Sequence, residues 1–136
     1  MIIEITDTAT IADVQDKFST IFPFLKVEFF QHSHRWYEKA PLEKALPSNK
    51  KLGEIRKQHP HGRLDFFSWY SIEDIELVFR KKFNLNAQVF CLQGNKWVQT
   101  NGNGKLTLKE QNEIGRHITL ESFSNSFSKI AGDNLI

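Results

Sequence analysis

The chain has 136 residues, 40% of them hydrophobic, with 12 Phe and 3 Trp. That is the length of one domain with enough apolar mass for a core, which excludes a disordered chain. Its 18 basic and 16 acidic residues leave a net charge of +2, too small for a general attraction to nucleic acid or to an anionic membrane. The single cysteine, Cys91, excludes an intramolecular disulfide framework and fits a reducing, cytoplasmic setting. The start, MIIEITDTATIADVQDKF, lacks a basic n-region and does not read as a signal peptide. No uncharged apolar run approaches the ~18 residues of a membrane span.

In chain order, IIEIT at 2–6 alternates and opens the chain as a strand. Thr10 then precedes Ile11, Val14, Phe18 and Ile21, which share one helical face; Asp13 completes a capping box and Pro23 stops the helix. In FLKVEFFQHSH, Leu25, Val27 and Phe29 alternate with Lys26, Glu28 and Phe30, the period of a half-buried strand. From Glu38 to Lys57 the chain is Lys-rich and proline-containing, and reads as a short helix near 41–46, a surface loop and a further turn. GRLDFF at 62–67 is a further strand.

The clearest element starts at Ser71, an N-cap with Asp74 at the capping-box position. Ile72, Ile75, Val78, Phe79 and Phe83 form its apolar stripe, with acidic residues in the first turns and Arg80, Lys81 and Lys82 in the last. AQVFCLQ at 87–93 is apolar on both faces, as a central strand is, and Gly94-Asn95 turns it into KWVQT. After the NGNGK turn, TLKEQNEIG reads as a short helix with a Thr107/Glu110 capping box and Gly115 as its stop. The order implies an α+β fold: a two-layer sandwich with a mixed or antiparallel sheet of about four or five strands and two or three helices on one face. Residues 1–116 form the domain, and 117–136 a tail in which Phe123, Phe127 and Ile130 make a thin amphipathic stripe.

Two His-x-His pairs stand out. His32 and His34 would share a strand face, as would His59 and His61, and imidazoles at i and i+2 can chelate zinc or another divalent transition metal. Asp65 or Glu28 is a possible further ligand, but four histidines without a cysteine partner match no established zinc spacing. The chain carries no G-x-S-x-G elbow and no Gly-rich phosphate loop, and Cys91 lies within an apolar strand as an inert thiol, so no catalytic residue is assigned. His34, Arg35, Trp36 and Tyr37, then Arg56, Lys57, Arg63, Phe66, Phe67, Trp69 and Tyr70, interleave charge and rings as single-strand nucleic-acid binders do, yet Asp65, Glu73 and Asp74 dilute the charge. Trp36, Tyr37, Arg63, Trp69, Tyr70 and Trp97, with Phe123 and Phe127 of the tail, are residue types enriched at interface centres.

VFCLQGNKWVQTNGNGKLTLKEQNEIG carries a resemblance. Gly94, Trp97, Thr107, Leu108, Glu110, Gln111, Asn112 and Gly115 are similar to the closing strand, G-x-x-W turn and T-L-x-E-Q-N-x-x-G helix of a group of small, uncharacterised bacterial proteins. It covers residues 85–115, departs from the pattern at Leu106, where an aromatic is expected, and implies a structured unit without an assigned activity. The expectation is a non-catalytic protein-interaction or assembly module needing no cofactor, its partner another protein or a second copy. Metal binding through the histidines is the alternative and single-stranded nucleic acid a further one.

Overall fold

A computed structural model describes residues 1–32, 41–100 and 104–134, with side chains of the last helix described as far as Asn125. Its elements are β1 (Ile2–Ile5), α1 (Ile11–Ile21), β2 (Leu25–Phe30), a 3-10 turn (Leu42–Lys44), α2 (Leu52–Ile55), β3 (Gly62–Asp65), α3 (Ile72–Phe83), β4 (Asn86–Gln93), β5 (Lys96–Gln99) and α4 (Leu108–Asn134). The fold is α+β. Its five strands form two antiparallel sheets, β1-β3 and β2-β4-β5, rather than one continuous sheet.

Local chemistry sets the helices. In α1 the Thr10 hydroxyl accepts from the Asp13 N–H while the Asp13 carboxylate accepts from the Thr10 N–H. Ser71 and Asp74 repeat that reciprocal cap at the start of α3. Each satisfies two N–H groups that the first helical turn leaves without an intrahelical acceptor. At its far end α3 stops on Asn84, whose φ of 54° is left-handed, and the Leu85 N–H returns to the Phe79 carbonyl.

The pleat then distributes the core. Leu25, Val27 and Phe29 of β2 and Ala87, Val89 and Cys91 of β4 face one way, into a cluster with Ile11, Val14 and Phe18 of α1, Ile75 and Phe79 of α3 and Leu108 of α4. Phe29 meets Phe79 edge-on at 5.4 Å. The opposite face of the sheet holds a smaller cluster, Phe30 and Phe90, covered by Leu42, Ala45 and Trp97. Ile3 and Ile5 of β1 and Leu64 of β3 point inward from the two-stranded ribbon and close the main core.

The last helix differs from the sequence expectation: α4 continues without a break through Gly115 to Asn134. A Cβ at Gly115 would stand 2.8 Å from the Cys91 Sγ, 2.8 Å from the Leu92 carbonyl oxygen and 3.0 Å from the Phe24 Cβ. The glycine therefore lets the helix lie against β4; it does not end the helix. The carboxamide oxygen of Asn112 accepts from the Phe24 N–H at 2.9 Å beside it. Ala at this position favours an isolated helix by ~1 kcal/mol. Here Gly115→Ala should instead destabilise the protein by ~1–3 kcal/mol, because backbone as well as side chain must move. Urea unfolding of the two proteins decides between these signs.

Candidate functional site

Alternation along β3 sends Leu64 and Phe66 into the core and leaves Arg63, Asp65 and Phe67 outside. Across the ribbon the register sets Glu4 opposite Arg63, where they form an ion pair at 3.2 Å, and the exposed Ile2 opposite Asp65. The chain then turns, the Tyr70 N–H donating to the Phe67 carbonyl at 3.0 Å. In that turn the rings of Phe67 and Trp69 stack at 4.4 Å and 7°, and Tyr70 meets Phe67 edge-on at 5.8 Å. Trp69 is 66% exposed and Phe67 41%, while Tyr70 is half-buried against the core.

The turn is held from both sides. The N–H groups of Leu108 and Lys109 at the start of α4 donate to the carbonyls of Tyr70 and Ser68. Ser71, bridged to Thr107, caps α3 immediately afterwards. An apolar aromatic pair thus stands in water on backbone that two helix starts fix.

The remaining aromatic candidates separate in space. Trp97, on β5 of the other sheet, is half-buried over the Phe30/Phe90 cluster with the Lys26 ammonium 4.7 Å from its ring centroid. Phe123 of α4 is 73% exposed. Trp36 and Tyr37 lie outside the described residues, and Phe127 is on the backbone of α4 with its side chain outside them.

The second histidine pair finds a carboxylate. Asp7 follows β1, and its Oδ1 accepts from the Arg56 guanidinium at 2.9 Å and from the His59 Nδ1 at 2.9 Å, while its Oδ2 lies 3.1 Å from the His61 Nε2. Burial pushes the Asp7 carboxyl up, but hydrogen bonds from His59, Arg56 and His61 outweigh it and hold the group well below the ordinary carboxylate range. An ionised carboxylate can only accept, so both imidazoles present N–H to it. The other groups weighed as ligands lie elsewhere: Asp65 faces the amino terminus at 3.7 Å and Glu28 faces Lys26 at 3.4 Å. His32 is exposed just beyond β2, in the other sheet, and His34 lies outside the described residues. Among the described residues no group of three or more His, Cys, Asp or Glu side chains is arranged to hold a metal ion.

Arg56, grouped by sequence with an exposed basic run, has a side chain that is 0% exposed. Its Nη1 donates to the carbonyls of Pro60 at 2.9 Å and Phe83 at 2.8 Å, so it serves the end of α3 and is withdrawn from any phosphate. Cys91 is buried and its thiol donates to the Gln111 carbonyl at 3.5 Å.

A second carboxylate escaped sequence reading. Glu76 of α3 is half-buried against the sheet, and its Oε2 accepts from the Val89 N–H at 2.8 Å. Beside it the Thr100 hydroxyl donates to the Val89 carbonyl at 2.8 Å, just past the end of β5. Two side chains thus serve the Val89 backbone where the ladder to β5 has stopped. The signal was present in the spacing: Glu76 is four residues after Ile72 and three before Phe79, inside the apolar stripe.

No helix among the described residues is long and apolar enough to cross a membrane. No protein-family model matches this chain, and no curated protein and no solved structure matches it.

Proposed function

We propose that the chain is a non-catalytic protein-interaction module whose contact centre is the Phe67–Trp69 stack. One observation carries the reading: a stacked aromatic pair stays exposed although the protein fixes the backbone beneath it at two helix starts. Preordered aromatic anchors lose little conformational entropy on binding, which is why Trp and Tyr dominate interface centres. The partner that fits is a protein with an apolar cleft for Trp69, its rim meeting the Arg63–Glu4 pair and Asp65 on the outward face of the ribbon.

The test compares proteins captured from an extract by the wild-type chain with those captured by Trp69→Ala. Binding of a protein lost from the variant is then measured with purified components. Trp69→Ala should leave folding intact, since the ring is exposed, and weaken that binding about thirtyfold or more. An identical set of captured proteins, or an unchanged Kd, removes the Phe67–Trp69 stack as the contact centre.

A further inference from the structure

Among the described residues of the 27-residue α4, the side chains that pack on the domain lie in its first half. Leu108, Gln111 and Gly115 are buried, and Thr119 closes the β4–β5 turn, accepting from the Gly94 N–H at 3.1 Å and donating to the Leu92 carbonyl at 3.2 Å. Ser122 stands beside Gly94. Past that point Phe123, Ser124 and Asn125 are exposed, yet the helix runs on to Asn134.

The sequence of that outer half reads nearly the same in both directions. In LESFSNSFSKI, residues 120–130, Ser and Phe are arranged symmetrically about Asn125, and Leu120 is mirrored by Ile130. The apolar positions 120, 123, 127 and 130 follow a 3-4-3 spacing, the a-d-a-d register of a coiled-coil seam. At 100° per residue they share one arc of the helix, centred about 100° from the arc that Leu108, Gln111, Gly115 and Thr119 use against β4. The seam's two described side chains, Leu120 and Phe123, are accordingly exposed. Thr119, Ser124, Ser126 and Ala131 beside it are small and uncharged, so a second helix can approach closely without repulsion.

We infer that the outer half of α4 pairs with the same segment of a second copy, antiparallel, about a two-fold axis at the level of Asn125. In an antiparallel C2 pair the residues on either side of the axis oppose one another, and a sequence mirrored about Asn125 sets like side chains face to face. Leu120 then opposes Ile130 of the second copy, and Phe123 opposes Phe127, the a-to-d matching of antiparallel coils. A parallel pair would gain nothing from the mirror symmetry and would place both domain bodies at the same end of axes only 8–10 Å apart. Four apolar residues per copy make a small seam, so the dimer is weak and concentration-dependent. This rests on the reading of the chain as an interaction module but uses a different surface from Trp69.

Sedimentation equilibrium should show the mass rising from 15.9 kDa toward about twice that value as concentration increases. Phe123→Ser/Phe127→Ser should stay monomeric with unchanged circular dichroism from the sheet domain, and Trp69→Ala should dimerise like the wild type. Cysteine cross-linking reads the register. Phe123→Cys mixed with Phe127→Cys should form an intermolecular disulfide on mild oxidation, whereas either variant alone should not, because like positions lie about 6 Å apart along the axis as well as across it. Cross-linking of each variant alone would mean a parallel pair and overturn the proposal. A mass independent of concentration would overturn it too, without touching the Trp69 reading.

Discussion

The protein should lose ~3–5 kcal/mol of stability as the pH rises from 5 to 9, and Glu76→Gln should remove most of that loss. Burial between α3 and the sheet pushes the Glu76 carboxyl up to about 8; the Val89 N–H pulls it down and the charge of Glu73 pushes it further up. In the unfolded chain the group titrates near 4.5. Between those values the native state keeps a proton that the unfolded state has released, so raising the pH favours unfolding. Glutamine retains an oxygen for the Val89 N–H and cannot ionise. Near pH 5 the two proteins should therefore be within ~1 kcal/mol of each other, and at pH 9 the variant should be the more stable by several. Urea midpoints at pH 5, 7 and 9 measure this, and parallel curves for the two proteins would show that Glu76 does not titrate in this range.

That carboxylate also marks what could be read from the sequence. The caps of α1 and α3 were legible, because Thr10/Asp13 and Ser71/Asp74 act within four residues of one another. The strands were legible from period two and the β4–β5 hairpin from Gly94-Asn95, where Gly94 takes a φ of 73°. Acidic residues early in a helix suit its dipole, which masks Glu76, whereas its place in the stripe between Ile72 and Phe79 signals burial. Gly115 reads as a stop because glycine weakens helices; contact with Cys91, Leu92 and Phe24, 20 or more residues away in sequence, overrides that preference.

Pairing was the part that local patterns do not encode. Nothing in IIEI or GRLD says that β1 joins β3 and leaves β2 to β4, since both choices bury the same alternating faces. Of the interface candidates, the described structure groups Trp69 and Tyr70 about Phe67 in the turn after β3, leaves Arg63 paired with Glu4 on the outer face of the ribbon, and places Trp97 on the other sheet. The histidine pairs carry the same lesson. Spacing predicts that His59 and His61 can act on one neighbour, which they do, but the neighbour is Asp7, more than 50 residues earlier.

Asp7 and Arg56 lead to the second large effect: Arg56→Met should destabilise the protein by ~3 kcal/mol. The guanidinium is buried and makes three hydrogen bonds, to Asp7, to the Pro60 carbonyl and to the Phe83 carbonyl. Phe83 ends α3, so its carbonyl has no intrahelical donor and lies at the negative end of the helix dipole. Methionine fills much of the volume and supplies no donor, so the buried Phe83 carbonyl and the partly buried Pro60 carbonyl lose their partner at once. His59→Ala/His61→Ala serves as the control: both rings are exposed, Arg56 remains on Asp7, and stability should change little. The acid limb gives an independent reading of the same cluster. Because the folded Asp7 carboxyl titrates below its ordinary 3.8, its stabilising contribution is present above about pH 4 and fades as the pH falls further. The stability gap between wild type and Asp7→Asn should therefore shrink in acid. An Arg56→Met protein within ~1 kcal/mol of wild type, with a gap to Asp7→Asn that does not change with pH, would mean that solvent satisfies these groups and the cluster ties nothing together.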